Sequence, residues 1–591
     1  MRGKFLPALI AVLWVAMSFG ASAHARRSAA ADPTDVHINV ANPASPFATN
    51  KAAEASIAID KAHPNVVGAG AFDEADEAPC GTVESTPTFW CPFVTGVGTS
   101  GVYFSFDSGH TWIQPSFTGW TARDGTAHFG TTYTLPWYYE AGLVSDADSA
   151  VAFGPAPVNG HFSWDNGSRF YYANLVSNSG LTSETTIRGF EGVAVSRIDN
   201  PTSPEVVGNK DNWFRPVLIP ASISKTTFED KEQIWADNAA TSPFFGNAYV
   251  CFAEYRSLSR SGQLNFAVPI IVARSTDGGN TWSKKQVTPA ATDIHNRVQR
   301  FGASGCTIRT DSNGVVYVFF ERFNNFPFTG RFPITDTHML VKSYDGGKTW
   351  TRPRALFDVT DPCYVFDPVQ GRCVGDGLAG GRIDLAAAPS VDIANGAPTG
   401  VGATNEIVDS WVDGRDGLNN EKVMLSFSTD GARTWSDPTV VPGPGRGFYS
   451  SPAISPSGTQ VYVSDSWFLT DFQETTDNPR ILLNTLDQSA LDANGAPTGF
   501  SAVVTGQPGD ARAGSTNGET SEFLGDYNYA SAVDSYGIGV WTADARNAAD
   551  CPAVDAYRQS LYTDSPLPKP NPATECPGAF GNIDIYAATT G

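Results

Sequence analysis

One octet is written four times in this chain: SFDSGHTW at Ser105–Trp112, STDGGNTW at Ser275–Trp282, SYDGGKTW at Ser343–Trp350 and STDGARTW at Ser428–Trp435. Each copy closely follows an apolar run, such as HMLVK before Ser343, so each reads as strand, tight turn, strand. Glycine supplies the positive φ such a turn needs, and the Ser and Asp side chains can bond backbone N–H groups across it. Thr and Trp open the next strand, where β-branched and aromatic residues pack well. A hairpin repeated at this spacing points to a repeat architecture rather than to the several separate domains that 591 residues otherwise suggest.

A second phrase recurs upstream of the octets, an apolar strand, a polar turn and another apolar strand. CTIRTDSNGVVYVFFER from Cys306 is one copy, and AISPSGTQVYVSDSW from Ala453 and SAVDSYGIGVWTADAR from Ser531 are others. Joined to the octet hairpin it makes a four-stranded antiparallel unit of roughly 50 to 85 residues, the size of a propeller blade with insertions. Seven units begin near Glu54, Asp146, Asp230, Arg300, Arg382, Tyr449 and Asp526, and the second, sixth and seventh lack the octet. The expected fold is all-β, a β-propeller of four-stranded antiparallel blades, seven-bladed, with a six-bladed ring as the alternative.

The N-terminus carries Arg2 and Lys4, an apolar run from Leu6 to Phe19 and small residues at Ala21, Ala23 and Ala25, the pattern of a secretory signal. The expected organisation is signal peptide 1–25, N-terminal extension 26–53 and propeller 54–591. No later stretch is long and apolar enough to insert in a membrane. Export to an extracellular or periplasmic space accounts for eight cysteines, of which Cys80 with Cys91, Cys363 with Cys373 and Cys551 with Cys576 are expected to pair. Cys251 and Cys306 lie in apolar runs and either pair or stay as buried thiols. A balance of 39 basic against 61 acidic residues, net −22, argues against nucleic acid as a partner.

The template S-x-D-x-G-x-T-W resembles the Asp-box, or BNR repeat, of sialidases and sialidase-like propellers. That resemblance implies a carbohydrate or glycoconjugate as partner. It also implies a mechanism of three arginines clamping a sugar carboxylate, an acid/base Asp and a Tyr nucleophile assisted by a carboxylate. GFYSSPAISPSG from Gly447 resembles the nucleophile segment and makes Tyr449 the candidate; GDYNYASAV from Gly525 adds Tyr527 as a substrate-binding candidate. The F/Y-R-I-P motif expected before the first box is missing, and Phe214-Arg215-Pro216 comes after it.

Propeller topology sorts these residues by face. If each octet turn joins strands three and four, the pocket lies at the other end, where second strands finish and blades begin. FAEYR, FER, WVDGR and WTADAR close four second strands, combining acid with arginine. Candidate acid/base residues there are Asp148 and Asp230, and candidate anion clamps are Arg300, Arg382 and Arg415. The competing role for each is a structural ion pair between or within blades. No metal-ligand spacing or cofactor motif occurs, although SDADS at Ser145 and DGRDG at Asp413 have the composition for structural calcium. The function expected is a retaining exo-glycosidase of exo-sialidase type on anionic sugars; the alternative is a non-catalytic propeller that binds a glycan or a protein.

Overall fold

A computed structural model describes residues 35–41, 51–82, 85–86, 88–183, 185–220, 226–256, 268–289, 302–325, 333–544 and 549–591. The signal region and Arg300 lie outside the described residues. The chain forms a seven-bladed β-propeller of antiparallel sheets, which sets aside the six-bladed alternative. The innermost strands are Ala52–Ile59, Leu143–Val158, Phe228–Ala236, Ala303–Thr310, Ser390–Ile393, Arg446–Ile454 and Tyr529–Ala532. Blade one has three laddered strands, and a bridge between Phe104 and Ile113 carries its outer edge.

Blade seven is closed from the other end of the chain. Val36–His37, within the stretch read as an N-terminal extension, forms its outermost strand, with Val36 opposite Ala587 and His37 opposite Tyr586. Asn39 extends the join: its amide donates to Asp584 at 2.9 Å, and its carbonyl oxygen accepts from Ile585 N at 2.9 Å. Closing the ring with both ends of the chain removes an open edge that could pair with another molecule.

The octets join strands three and four, as in blade three, where Ile270–Ser275 leads through the turn to Ser283–Gln286. Asp345 shows the internal geometry. Its carboxylate accepts from Ser343 Oγ at 2.8 Å, Thr349 N at 2.8 Å and Thr349 Oγ1 at 2.6 Å, while Ser343 Oγ accepts from Gly347 N at 2.8 Å. Asp107, Asp277 and Asp430 make the same bonds to Thr111, Thr281 and Thr434. The Thr349 hydroxyl and amide hold the Asp345 carboxyl well below the usual carboxylate range.

The octet also looks outward, toward the preceding blade. Trp112 belongs to the apolar seam between blades seven and one, Trp282 to that between two and three, Trp350 to that between three and four, and Trp435 to that between four and five. Cations of the preceding blade bond the turn carbonyls. Arg169 Nη1 donates to Gly278 O at 2.6 Å, Lys285 Nζ to Lys348 O at 3.1 Å, and Lys342 Nζ to Gly431 O.

All eight cysteines are bridged. Cys80–Cys91, Cys363–Cys373 and Cys551–Cys576 have Cα separations of 4.4, 5.4 and 5.1 Å, and Cys251–Cys306, at 6.3 Å, ties blade three to blade four. Two of the loops so closed pack on one another, with Cys80, Cys91, Cys551, Val554 and Phe580 in one apolar cluster. Replacing one octet carboxylate, Asp345→Ala, is expected to cost about 1 kcal/mol, by analogy with the loss of other capping side chains. Denaturant unfolding measures this, and a variant as stable as the parent contradicts the role given to the carboxylate.

Candidate functional site at the mouth of the central channel

In the four blades that carry it, strand three ends at the octet, so the starts of the antiparallel innermost strands lie at the opposite end of the channel. There the innermost strands carry a repeated irregularity. Their ladders slip between Ala53 and Ser56, Ser145 and Ser149, Asp230 and Gln233, and Ser304 and Thr307. Within the slips Glu54, Ala147, Lys231 and Gly305 have φ of 57°, 55°, 58° and 56°. A bulge at one level of four blades turns side chains that would alternate across a sheet toward a common point. Non-glycine residues in this left-handed region are disfavoured, so the surrounding ring has to hold them there.

The point they share is an ion cluster built from five segments. Lys231 Nζ lies 2.6 Å from Asp526 Oδ2, 3.2 Å from Asp148 Oδ2, 3.6 Å from Asp230 Oδ1 and 3.9 Å from Glu54 Oε1. Arg382 donates from Nη2 to Glu54 Oε1 at 2.9 Å and to Asp526 Oδ2 at 2.7 Å, and from Nε to Asp526 Oδ1. The Phe523 ring lies 5.4 Å from the Arg382 guanidinium carbon. Gly525 stands where a side chain cannot: its φ is +76°, and a Cβ there would sit 2.9 Å from Glu54.

Four carboxylates around two cations cannot all stay ionised away from water. Burial and the Asp148 charge raise the Glu54 carboxyl well above its ordinary range. Burial pushes Asp230 up to about 7 against the pull of Lys231. Asp146 reaches about 7 through burial, and Glu191 about 9 through burial and its acidic neighbours. Asp526 goes the other way: burial opposes its charge, but Arg382 and Lys231 hold it well below the usual range.

The structure brings together Asp148, Asp230, Arg382, Tyr449 and Tyr527. Tyr449 is buried, and its hydroxyl donates to Arg382 O at 2.7 Å and Gly525 O at 3.0 Å. The hydroxyl of Tyr527 accepts from Ser149 N at 3.0 Å. Arg415 is not part of the cluster. Its guanidinium folds onto its own neighbour Asp413, at 2.8 and 2.6 Å, and the side chain is 41% exposed. Arg256 likewise pairs with Glu254 of its own motif at 2.6 Å. In these two second-strand motifs the arginine makes a local ion pair, because an arginine two residues beyond an acid reaches it more easily than the channel axis.

Lys231, at the centre of the cluster, is the residue that sequence reasoning missed. The signal was available in the sequence of blade starts, where acidic residues recur and Asp230-Lys231-Glu232 sets a cation between two acids. Beside the cluster a solvent-open cleft of about 480 Å³ is lined by Tyr449, Ser450, Asp526, Tyr527, Asn528 and Tyr529 among others. Among the described residues no group of three or more His, Cys, Asp or Glu side chains is arranged to hold a metal ion, and no helix is long and apolar enough to cross a membrane.

No protein-family model and no curated protein matches the chain. Solved structures similar to it include a protein of unknown function from Dyadobacter fermentans, at 13% identity and a TM-score of 0.36, covering 68% of this chain and 91% of that one. Hadza microbial sialidase Hz136 matches at 11% identity and a TM-score of 0.37, over 70% of this chain and 63% of that one. Trypanosoma rangeli sialidase in complex with sialic acid matches at 14% identity and a TM-score of 0.35, over 72% of this chain and 53% of that one. The chain thus spans less than two thirds of either sialidase. Likenesses this distant leave the chemistry of the site to its own geometry.

Two expectations follow from the ion cluster. An unfolded chain ionises its carboxyls near pH 4, whereas Asp146, Asp230 and Glu191 keep protons to about 7, 7 and 9 when folded. The unfolded state then binds fewer protons, so stability falls as pH rises through this window. Calorimetry should give a higher Tm at about pH 5 than at about pH 8, and a Tm rising over that interval contradicts the assignment. Lys231→Met strands the carboxylates that share its ammonium and should cost about 3 kcal/mol. Denaturant titration should show that loss growing with pH.

Proposed function

We propose that this chain is an exported, sialidase-like propeller that binds carbohydrate at the mouth of its central channel, and that the sugar it takes is neutral rather than carboxylated. One observation carries the reading: Arg382, the guanidinium in the cluster, is already engaged by Asp526 and Glu54. A carboxylated sugar needs an available bidentate donor, and here that donor is bound within the protein amid an excess of carboxyl groups. Tyr449 fits the nucleophile role poorly, since its phenol donates to two backbone carbonyls and burial raises its pKa well above the ordinary value. A nucleophilic phenol needs a carboxylate in reach to take its proton. The cleft instead offers tyrosine rings, Asn528 and the Ser450 hydroxyl, which suit the faces and hydroxyls of a sugar. Export is supported by the N-terminal signal pattern and by four disulfides.

A second reading, hydrolysis of a neutral glycoside, is favoured by the split between Asp230 and Asp526. Two carboxyl groups about one ammonium, one protonated near neutrality and one ionised, are the parts of a general acid and its partner. A glycan array and a panel of fluorogenic glycosides test both. Neutral glycans should bind, sialosides should not turn over, and Tyr449→Phe should leave binding unchanged. Turnover of a neutral glycoside that declines as pH rises through about 7 selects the hydrolytic reading. Sialoside turnover abolished by Tyr449→Phe overturns both.

A further inference from the structure

Away from the channel, an inserted hairpin, Phe117–Thr121 paired with His128–Thr132, stands against the short helix Tyr138–Ala141. Between them lies a small cleft open to solvent. One wall is aromatic. Trp120 and Tyr139 stack with centroids 5.6 Å apart and planes at 4°, and Phe129 packs on Tyr139 at 5.4 Å. Phe129 is 51% exposed and Tyr139 38%, so large apolar faces meet water.

The wall is held in place by polar bonds. Trp120 Nε1 donates to Thr95 O at 3.0 Å. The buried Asp76 carboxylate accepts from Tyr133 N, Thr134 N and Thr134 Oγ1 at 3.0, 3.1 and 2.7 Å, fixing the base of the hairpin. Lys210 Nζ donates to Thr118 O and to Glu140 Oε1, each at 2.5 Å, and lies 4.6 Å from the Trp137 ring. The lysine thereby clasps hairpin to helix and neutralises the acidic residue at the rim, so the cleft presents no unbalanced charge to a ligand.

The lining also includes Ser145, which is 1% exposed and whose hydroxyl has no hydrogen-bond partner among the described residues. Gly98 leaves the space beside it, since a Cβ there would approach Ser145 Oγ to 2.6 Å. A buried hydroxyl without a partner is unfavourable unless something supplies one. Rigid rings, an unpaired hydroxyl and balanced charge together match a ligand with an apolar C–H face, several hydroxyls and no charge.

We propose that the cleft between this hairpin and helix is a second carbohydrate site, which stacks a neutral sugar ring on Trp120 and Tyr139 and bonds one of its hydroxyls to Ser145. The site is separate from the channel and stands whether or not the channel binds sugar. Affinity electrophoresis of the full protein in gels containing hydroxyethylcellulose, galactomannan or laminarin tests it, with anionic polygalacturonate as control. At least one neutral polymer should retard the protein and polygalacturonate should not. Trp120→Ala or Tyr139→Ala should each weaken retardation about tenfold, while Trp120→Phe keeps most of it. Ser145→Ala should also weaken it without lowering Tm, because no bond within the protein is lost. The octet variant Asp345→Ala, which touches neither cleft, should be retarded like the parent, so that a loss in the alanine variants reports on this site. Tyr139 is exposed, so its variant stays informative if Trp120→Ala does not fold. Failure of all three neutral polymers to retard the protein, or retardation unchanged in both alanine variants, overturns the proposal.

Discussion

The octet turn is the contact on which the rest of this propeller depends. Inside the turn, a Ser–Asp–Thr cage converts backbone N–H groups that would face water into satisfied donors, and two of the four copies place consecutive glycines at positive φ. Outside it, the turn carbonyls face arginine and lysine of the preceding blade while its Trp enters the apolar seam. One eight-residue unit therefore closes a hairpin and docks two blades. Blades without the octet rely on other joints, such as the paired chain ends of blade seven.

Because the octets gather at one end, the other end is free for chemistry. The bulges there reorient the start of the innermost strands, and the ring holds left-handed backbone at Glu54, Ala147 and Lys231 that an isolated strand would not adopt. The resulting cluster contains more acid than base, and burial answers by keeping protons on Glu54, Asp230 and Glu191. Such a cluster ties blades one, two, three and seven to the segment before blade five, and the same side chains border the cleft. Structural and binding roles coincide because the axis is the one place where every blade can contribute a side chain.

The hairpin cleft follows a different logic. It is built on an insertion between blades one and two, where added chain meets few packing constraints, and its rings are positioned by Asp76 and Lys210 rather than by the repeat. Insertions on a rigid ring are where exposed aromatic surface can be maintained without disturbing the core.

Fold class, blade number, the face bearing the octets and three of the disulfides were legible in the sequence, because each depends on residues close together in the chain. The octet bonds itself, an alternating run pairs with its neighbour, and a cysteine 10 to 25 residues from another has few choices. The joining of Val36–His37 to the last blade was not legible, nor was the Cys251–Cys306 bridge, since both need ring closure to bring distant segments together. The same holds at the channel. Asp148, Asp230, Arg382 and Tyr527 stood out as residues at blade starts, but the turn of Arg415 onto Asp413 and the convergence of four carboxyls on Lys231 were decided by geometry alone. A bulge with non-glycine residues at positive φ has no sequence signature, and it is these bulges, enforced by neighbouring blades, that set where the charges meet.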